Sequence, residues 1–275
     1  MLKDITLGQY FPGNSIFHKA DPRTKIIIGI LYIVSIFLAD TIPSYIFLLL
    51  SALGMVLMSK IPFKIVLRGL KSIIFIVIFT SIINIFWTTG TEETLLCHFW
   101  IISIYKEGVV FAICMVVRIV ALLLGTSIML SYTTSPIALT DGLEQLLSPL
   151  KKIKLPVHEF SMMMTIALRF IPTLIEETDK IINAQKARGA DMSSGGLIKR
   201  AKALVPVLIP LFVCAFRRAD ELATAMECRC YHGGEGRTKM NILHFGIYDL
   251  ILLLMFVLFT AAIVSVNIFV PFPFF

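Results

Sequence analysis

The sequence predicts an all-α, polytopic membrane protein with about five spanning helices and a cytoplasmic domain of long amphipathic helices. Three observations lead to that fold class. Apolar residues make up 57% of the 275 and charged residues only 16%, against about 45–50% and about 25% in soluble domains. The mean hydropathy is +0.86. Long apolar stretches recur along the chain, and the basic residues avoid one set of the loops between them.

Residues 1–25 are polar and contain Pro12 and Pro22, so no cleavable signal peptide is expected there. Five apolar stretches follow, at Lys25–Ala39, Ser44–Ser59, Ile65–Trp87, Gly108–Ser131 and Gly246–Val270. A spanning helix needs about 20 residues. The last three meet that length. The first two are short, and Asp40-Thr41-Ile42-Pro43 between them reads as a tight turn. They are expected to form a tilted or shallow hairpin.

Charge sets the orientation. With the N-terminus inside, residues 1–25, the loop around 60–71 and residues 132–245 all face the cytoplasm. These segments hold 23 of the 25 Lys and Arg residues. The proposed outer segments, 40–43 and 88–104, hold none. Cytoplasmic loops carry the Lys and Arg excess, so this orientation is selected. Five spans place the C-terminus outside. Lys106 and Arg118 are the two remaining cations, the latter within an apolar run. A charge there contacts a partner or gate, or else, more commonly, snorkels or makes a helix–helix hydrogen bond.

The chain thus divides into 1–131 (N-terminal segment and four spans), 132–245 (cytoplasmic) and 246–275 (last span). In the middle segment Pro136 and Pro156 stand like first-turn prolines and Gly189 like a helix C-cap. A short amphipathic helix is expected over Asp141–Lys152, interrupted by Pro149. Pro156–Gly189 reads as one longer helix or a pair, bent near Pro172. Ser193-Ser194-Gly195-Gly196 is a breaker. The next helix runs from Leu197 to about Arg229, with bends at Pro206 and Pro210. Leu204–Phe216 has no polar side chain, yet thirteen residues are too few to span. A buried or interfacial helix fits better. Met162-Met163-Met164 adds unbranched, adaptable side chains to the first long helix.

Both long helices finish alike, with Ala187-Arg188-Gly189 and Cys228-Arg229-Cys230. Small neighbours leave each guanidinium as the one bulky projection, and its planar fork of donors suits a groove lined by carboxylates and carbonyls. Two such ends imply two sockets. The blander reading is a cation at a helix C-terminus, stabilised by the dipole by about 0.3–1 kcal/mol.

Gly8-Gln9-Tyr10, Asp21-Pro22-Arg23-Thr24-Lys25, Ala184-Gln185-Lys186-Ala187-Arg188-Gly189 and Ala225-Met226-Glu227-Cys228-Arg229-Cys230-Tyr231, followed by Gly233–Thr238, carry a specific resemblance. The chain resembles the transmembrane coupling (T) component, EcfT/CbiQ-like, of energy-coupling-factor transporters. These are a branch of the ATP-binding-cassette importers. The likeness covers nearly the whole chain. It implies that Ala187, Arg188, Gly189, Cys228, Arg229 and Cys230 dock two ATPase subunits. It further implies that the cytoplasmic helices hold a membrane-embedded substrate-binding S component, for uptake of vitamins or transition-metal ions. ATP would be bound by the partners. The chain itself would carry no cofactor, perform no chemistry and bind no nucleic acid, and would sit among the lipids of the cell membrane. The second motif departs from the family's Ala-Arg-Gly, because Cys228 and Cys230 replace the alanine and the glycine. Cys230 lacks glycine's access to positive φ.

Other motifs are weaker. Gly233-Gly234-Glu235-Gly236-Arg237 lacks the Gly-Lys-Ser/Thr ending of a phosphate loop, and His158-Glu159 lacks the second histidine of a zinc-protease helix. Cys228 and Cys230, beside His232, offer too few ligands for a usual metal site. The alternative function is an integral-membrane enzyme acting on a lipid or phosphate substrate, with the arginines of 132–245 as its anion site. A self-sufficient transporter would favour mid-membrane charges and an internal repeat, and no repeat is visible.

Overall fold

The computed structural model describes residues 10–71, 73–87, 95–99, 102–153, 155–190, 196–234 and 243–269. Gly8, Gln9, the breaker residues 193–195 and the basic turn 235–238 lie outside them. The described residues fall into two compact units, one formed by 10–145 with 243–269, the other by 146–234.

The first unit is a helical bundle. After the single turn α1 (Ile16–Lys19), α2 (Pro22–Phe37) starts at Asp21, whose carboxylate caps the Arg23 N–H, with Pro22 in the first turn. Both are favoured there, because the first turn has orphan donors and no use for a proline N–H. α3 (Ile42–Ser59) begins at the expected Pro43 turn and ends on Lys60 at φ 55°. α4 (Phe63–Lys71) and α5 (Ile74–Trp87) replace the single span expected over Ile65–Trp87 and differ in direction by 55°. Their compositions explain the break. Every charge of that stretch is on α4, and α5 has none.

An antiparallel hairpin of β1 (Leu95–Phe99) and β2 (Ile102–Tyr105) follows, pairing Phe99 with Ile102 and His98 with Ser103. It is a connector, and the body remains all-α. α6 (Lys106–Thr126) continues as a π-helical turn over Ser127–Tyr132. α7 (Pro136–Leu146) starts at the expected proline, five residues before the expected Asp141, and the 3₁₀ segment at Ser148–Ile153, which takes up Pro149, already belongs to the second unit. α10 (Ile247–Phe269) closes the first unit.

Three of these helices are long and apolar enough to cross a membrane: α3, α6 with its π turn, and α10. The bent pair α4–α5 makes a fourth if it is one span. α2 is apolar but has only 16 residues. It survives in an apolar setting because both of its ends are satisfied by neighbours, as backbone groups in lipid must be. At its start, the buried Asp249 of α10 accepts from the Asp21 N–H at 2.7 Å and from the Gly246 N–H at 2.9 Å. The buried Lys25 donates to the Thr133 carbonyl at 2.9 Å, and Arg23 to the Leu243 carbonyl at 3.0 Å. At its other end, Asn267 of α10 donates to the Leu38 carbonyl and accepts from Thr41 and Ser44. Arg118 of α6 donates to the Ala39 carbonyl at 2.8 Å, lies 3.8 Å from Asp40 and 5.4 Å over the Tyr45 ring. The charge inside an apolar run therefore makes the helix–helix hydrogen bond, the commoner of its two readings.

These two polar layers are about 25 Å apart at 1.5 Å per residue, close to the roughly 30 Å hydrocarbon core. Between them lies the core of Ile28, Tyr32, Ile36, Leu48, Ala121, Ile128, Phe256 and Ile263, all nearly inaccessible. Tyr32 is central. Its hydroxyl donates to the Ala121 carbonyl, and its ring meets Phe256 edge-on and Phe259 stacked. Gly125 of α6 faces that ring so closely that a Cβ there would overlap it.

Candidate functional site

The second unit is built on two long helices, α8 (Val157–Ala187) and α9 (Leu197–Cys228). Pro156 sits one residue before α8 as its N-cap, rather than in the first turn. The helical assignment runs through Pro172 in α8 and through Pro206 and Pro210 in α9. The two helices are antiparallel. Glu177 pairs with Arg218 at 3.3 Å, and Gln185 donates to the Pro206 carbonyl. His158, in the first turn of α8, packs on Gly234 beyond the end of α9, where a Cβ would overlap its ring.

This register separates the two predicted arginines. Arg188 ends α8 near the level of Pro206, while Arg229 ends α9 at the other extremity. From Pro206 to Arg229 the helix advances roughly 35 Å at 1.5 Å per residue. The structure thus brings together the three residues of each motif but holds the two motifs apart.

The two ends have the same backbone geometry. Arg188 is the C-cap of α8 and Gly189 has φ 84°. The Gly189 N–H bonds the Lys186 carbonyl at 2.9 Å and the Ala190 N–H bonds the Gln185 carbonyl at 3.0 Å. On α9, Arg229 is the C-cap and Cys230 has φ 56°. The Cys230 N–H bonds the Glu227 carbonyl at 2.9 Å and the Tyr231 N–H bonds the Met226 carbonyl at 3.0 Å. Each is a complete Schellman closure with a left-handed residue just after the arginine. Cys230 therefore adopts the conformation that the sequence put in question, at the strain cost of a side chain in the left-handed region.

Both closures turn the chain away behind the arginine. Ala187, Arg188, Gly189, Cys228, Arg229 and Cys230 are all exposed. Neither guanidinium is held in an ion pair among the described residues, whereas Arg218, on the same helix as Cys228, is paired. Each is thus a presented cation whose donors have no partner among the described residues.

The helices also expose an apolar face. Val205, Ile209, Phe212 and Phe216 follow one another around one side of α9 and are 47–69% exposed. Val207 is buried on the opposite side. On α8, Phe160, Met163 and Met164 are exposed too. Sequence reading found the apolar run but not which side of it stays open. It also missed the Glu177–Arg218 and Gln185–Pro206 contacts that fix the register. The signal was there in Glu176-Glu177 and Arg217-Arg218, a doubled acid on one helix and a doubled base on the next.

Comparison with known proteins gives a consistent set of matches. A family model described as cobalt transport protein (CbiQ) matches residues 13–240. The chain is 58% identical over 251 residues to a protein of Ruminiclostridium cellulolyticum named energy-coupling factor transporter transmembrane protein EcfT, covering 91% of this chain and 92% of that one. Proteins of the same name from Clostridium kluyveri and Bacillus subtilis are 53% and 50% identical. They cover 91% and 87% of this chain, and 92% and 89% of theirs.

Proposed function

Because the chain belongs to the CbiQ cobalt transport protein family, we propose that it is the membrane coupling subunit of an ATP-driven energy-coupling-factor importer. In this reading α8 and α9 lie on the cytoplasmic side, with the N-terminus and residues 132–245. Arg188 and Arg229, each with its small neighbours, enter one groove on each of two ATPase subunits. The exposed apolar side of α9, with Phe160, Met163 and Met164, takes the substrate-binding S component. ATP binds to the partners. Their motion reaches the S component through α8 and α9, and the S component selects the vitamin or metal ion imported. The chain performs no chemistry of its own.

One observation carries the reading most. Two helix ends of different sequence converge on the same backbone closure and present one exposed arginine each, unpaired among the described residues, roughly 35 Å apart. Helix-dipole stabilisation alone asks for a cation in the last turn. It does not ask for an identical closure that leaves the cation exposed. The spacing supports two separate sockets, hence two ATPase subunits rather than one. The relatives' name supports the transporter assembly.

The test is co-purification of the tagged chain from its own membranes in mild detergent, beside the Arg188→Ala/Arg229→Ala variant. Two ATPase subunits are expected with wild type and lost with the double variant, while each single variant weakens the association. Wild-type chain that comes down alone from intact membranes refutes the proposal. Equal recovery with the double variant refutes the role of the two arginines.

A further inference from the structure

α4 carries a basic face that the transporter reading does not use. Lys60, Lys64, Arg68 and Lys71 are all exposed, and none is in an ion pair among the described residues. No Asp or Glu occurs anywhere from residue 41 to residue 91. At 3.6 residues per turn, Lys64, Arg68 and Lys71 fall within a sector of about 60°. Phe63 and Leu67 fill the sector beside it and are 55% and 53% exposed. The remaining side holds the helix to the bundle. Val66 is buried at 3%, and Ile65 and Leu70 pack against the core. Gly69 lies against the Tyr132 hydroxyl, which a Cβ would approach to 2.8 Å.

Depth follows from that last contact. Tyr132 precedes Thr133, whose carbonyl accepts from Lys25 in the polar layer with Asp21 and Asp249. α4 is therefore docked at the level where the bundle turns from apolar to polar, and its axis departs from α5 by 55°. The positive-inside rule accounts for the sign of these charges. It does not account for their confinement to one sector beside an exposed apolar sector, on a helix fixed at that height. Basic and apolar faces side by side characterise a helix lying in the interface, with its apolar residues among acyl chains and its cations at the headgroups.

We propose that α4 is an interfacial helix whose Lys64, Arg68 and Lys71, together with Lys60 at the C-cap of α3, bind anionic phospholipid headgroups, with Phe63 and Leu67 inserted below them. Bound lipid thereby fixes the inner end of the α4–α5 segment against α6. The inference rests on the membrane reading of the bundle and is independent of the two arginine motifs.

The experiment uses the full-length chain in mild detergent, with phosphatidylglycerol and phosphatidylcholine offered in equal amounts and bound lipid counted by native mass spectrometry. Wild type is expected to retain phosphatidylglycerol selectively, with the preference falling as salt rises. At roughly fivefold per basic residue near an anionic surface, K60Q/K64Q/R68Q/K71Q should lower the preference at least tenfold. Neutralising four other cations in K180Q/K186Q/K199Q/K202Q should leave it. A second probe does not depend on the quadruple variant folding. Phe63→Trp in a Trp87→Phe/Trp100→Phe background should be quenched more by brominated phosphatidylglycerol than by brominated phosphatidylcholine. Equal quenching by the two lipids overturns the proposal, as does an unchanged preference in the quadruple variant. A quadruple variant that keeps its lipid but sheds ATPase subunits identifies the face as a protein-docking surface, and overturns it too.

Discussion

Gly189→Ala isolates the closure that presents Arg188. Gly189 has φ 84°, and a Cβ built there meets nothing within 4 Å. The substitution therefore adds no clash and removes no contact, and its whole effect is conformational. An L-residue in the left-handed region costs roughly 1–2 kcal/mol. Against this, alanine has less unfolded-state freedom to lose, which returns about 0.4–1 kcal/mol. The net is about 1 kcal/mol, or about a fivefold shift in a local opening equilibrium. The bond that reports it is the Ala190 N–H to the Gln185 carbonyl, at 3.0 Å. Hydrogen–deuterium exchange of the peptide spanning 184–190 should therefore quicken about fivefold in G189A, with helix α8 upstream unchanged. Association with ATPase subunits should weaken without any change to Arg188 itself. The converse substitution is built into the chain. Cys230→Gly relieves the same strain on α9 and should slow exchange at Tyr231, whose N–H makes the corresponding bond. Unchanged or slower exchange in G189A would refute the argument that backbone conformation at this one residue sets the helix end.

Three further outcomes follow from the bundle. Asp249→Val strands the buried Asp21 N–H, at about 1–3 kcal/mol, removes the acceptor of the exposed Gly246 N–H as well, and should lower the thermal midpoint in detergent markedly. Asp249→Asn keeps an acceptor and should lower it less, so equal losses would show that the two hydrogen bonds matter little. Arg118→Ala leaves the Ala39 carbonyl without its donor and should cost about 1.5–3 kcal/mol, the worth of a hydrogen bond to a charged group. Arg118→Lys should restore only part, because an ammonium cannot reach the carbonyl and lie flat over Tyr45 together, and full restoration would contradict that geometry. Gly125→Ala drives a Cβ into the Tyr32 ring and should destabilise by about 1–3 kcal/mol. Adding Tyr32→Leu should recover much of the loss in the same melting assay, and additive losses would place the clash elsewhere.

Much of this fold was legible in the sequence because lipid imposes one strong rule. Apolar length located three spanning helices to within a few residues, Ser44–Ser59 for α3, Gly108–Ser131 for α6 with its π turn and Gly246–Val270 for α10, whereas the stretch expected from Lys25 became the 16-residue α2. What periodicity could not supply was the partnering of polar groups far apart in sequence. Asp249, Asn267 and Arg118 are single polar residues in apolar runs. Only the packing of α2 beside α6 and α10 shows that they close the ends of a helix too short to close itself. The bend between α4 and α5 was missed for a related reason. Overall hydropathy joins Ile65 to Trp87, and the basic sector that separates α4 shows only when residues are placed around a helix. At the candidate site, the two arginines and their small neighbours were legible as a motif. Their separation was not, because it depends on an antiparallel register set by Glu177–Arg218 and Gln185–Pro206.

Cys230 argues for what these ends are built to do. If stability alone shaped the end of α9, glycine would serve better at φ 56°, where it takes the left-handed turn without strain. A second route would be to let the helix fray and leave its last carbonyls to water. The chain does neither. It makes the complete two-bond closure with a cysteine, so the geometry around Arg229 is retained although a side chain stands in the left-handed position. The two ends share the conformation, the arginine and an alanine four residues before it, Ala184 and Ala225. Alanine becomes cysteine before it and glycine becomes cysteine after it. If the proposed docking role holds, small size on either side and a left-handed turn behind are the two features the arginine needs. A bulky substitution at Cys228, such as Cys228→Leu, should leave exchange at Tyr231 unchanged, since Cys228 is exposed and helical. Under the proposed docking role it should still weaken ATPase-subunit recovery, as is expected of Arg229→Ala. If Cys228→Leu changes neither, small size beside the arginine is incidental, and the socket grips the guanidinium alone.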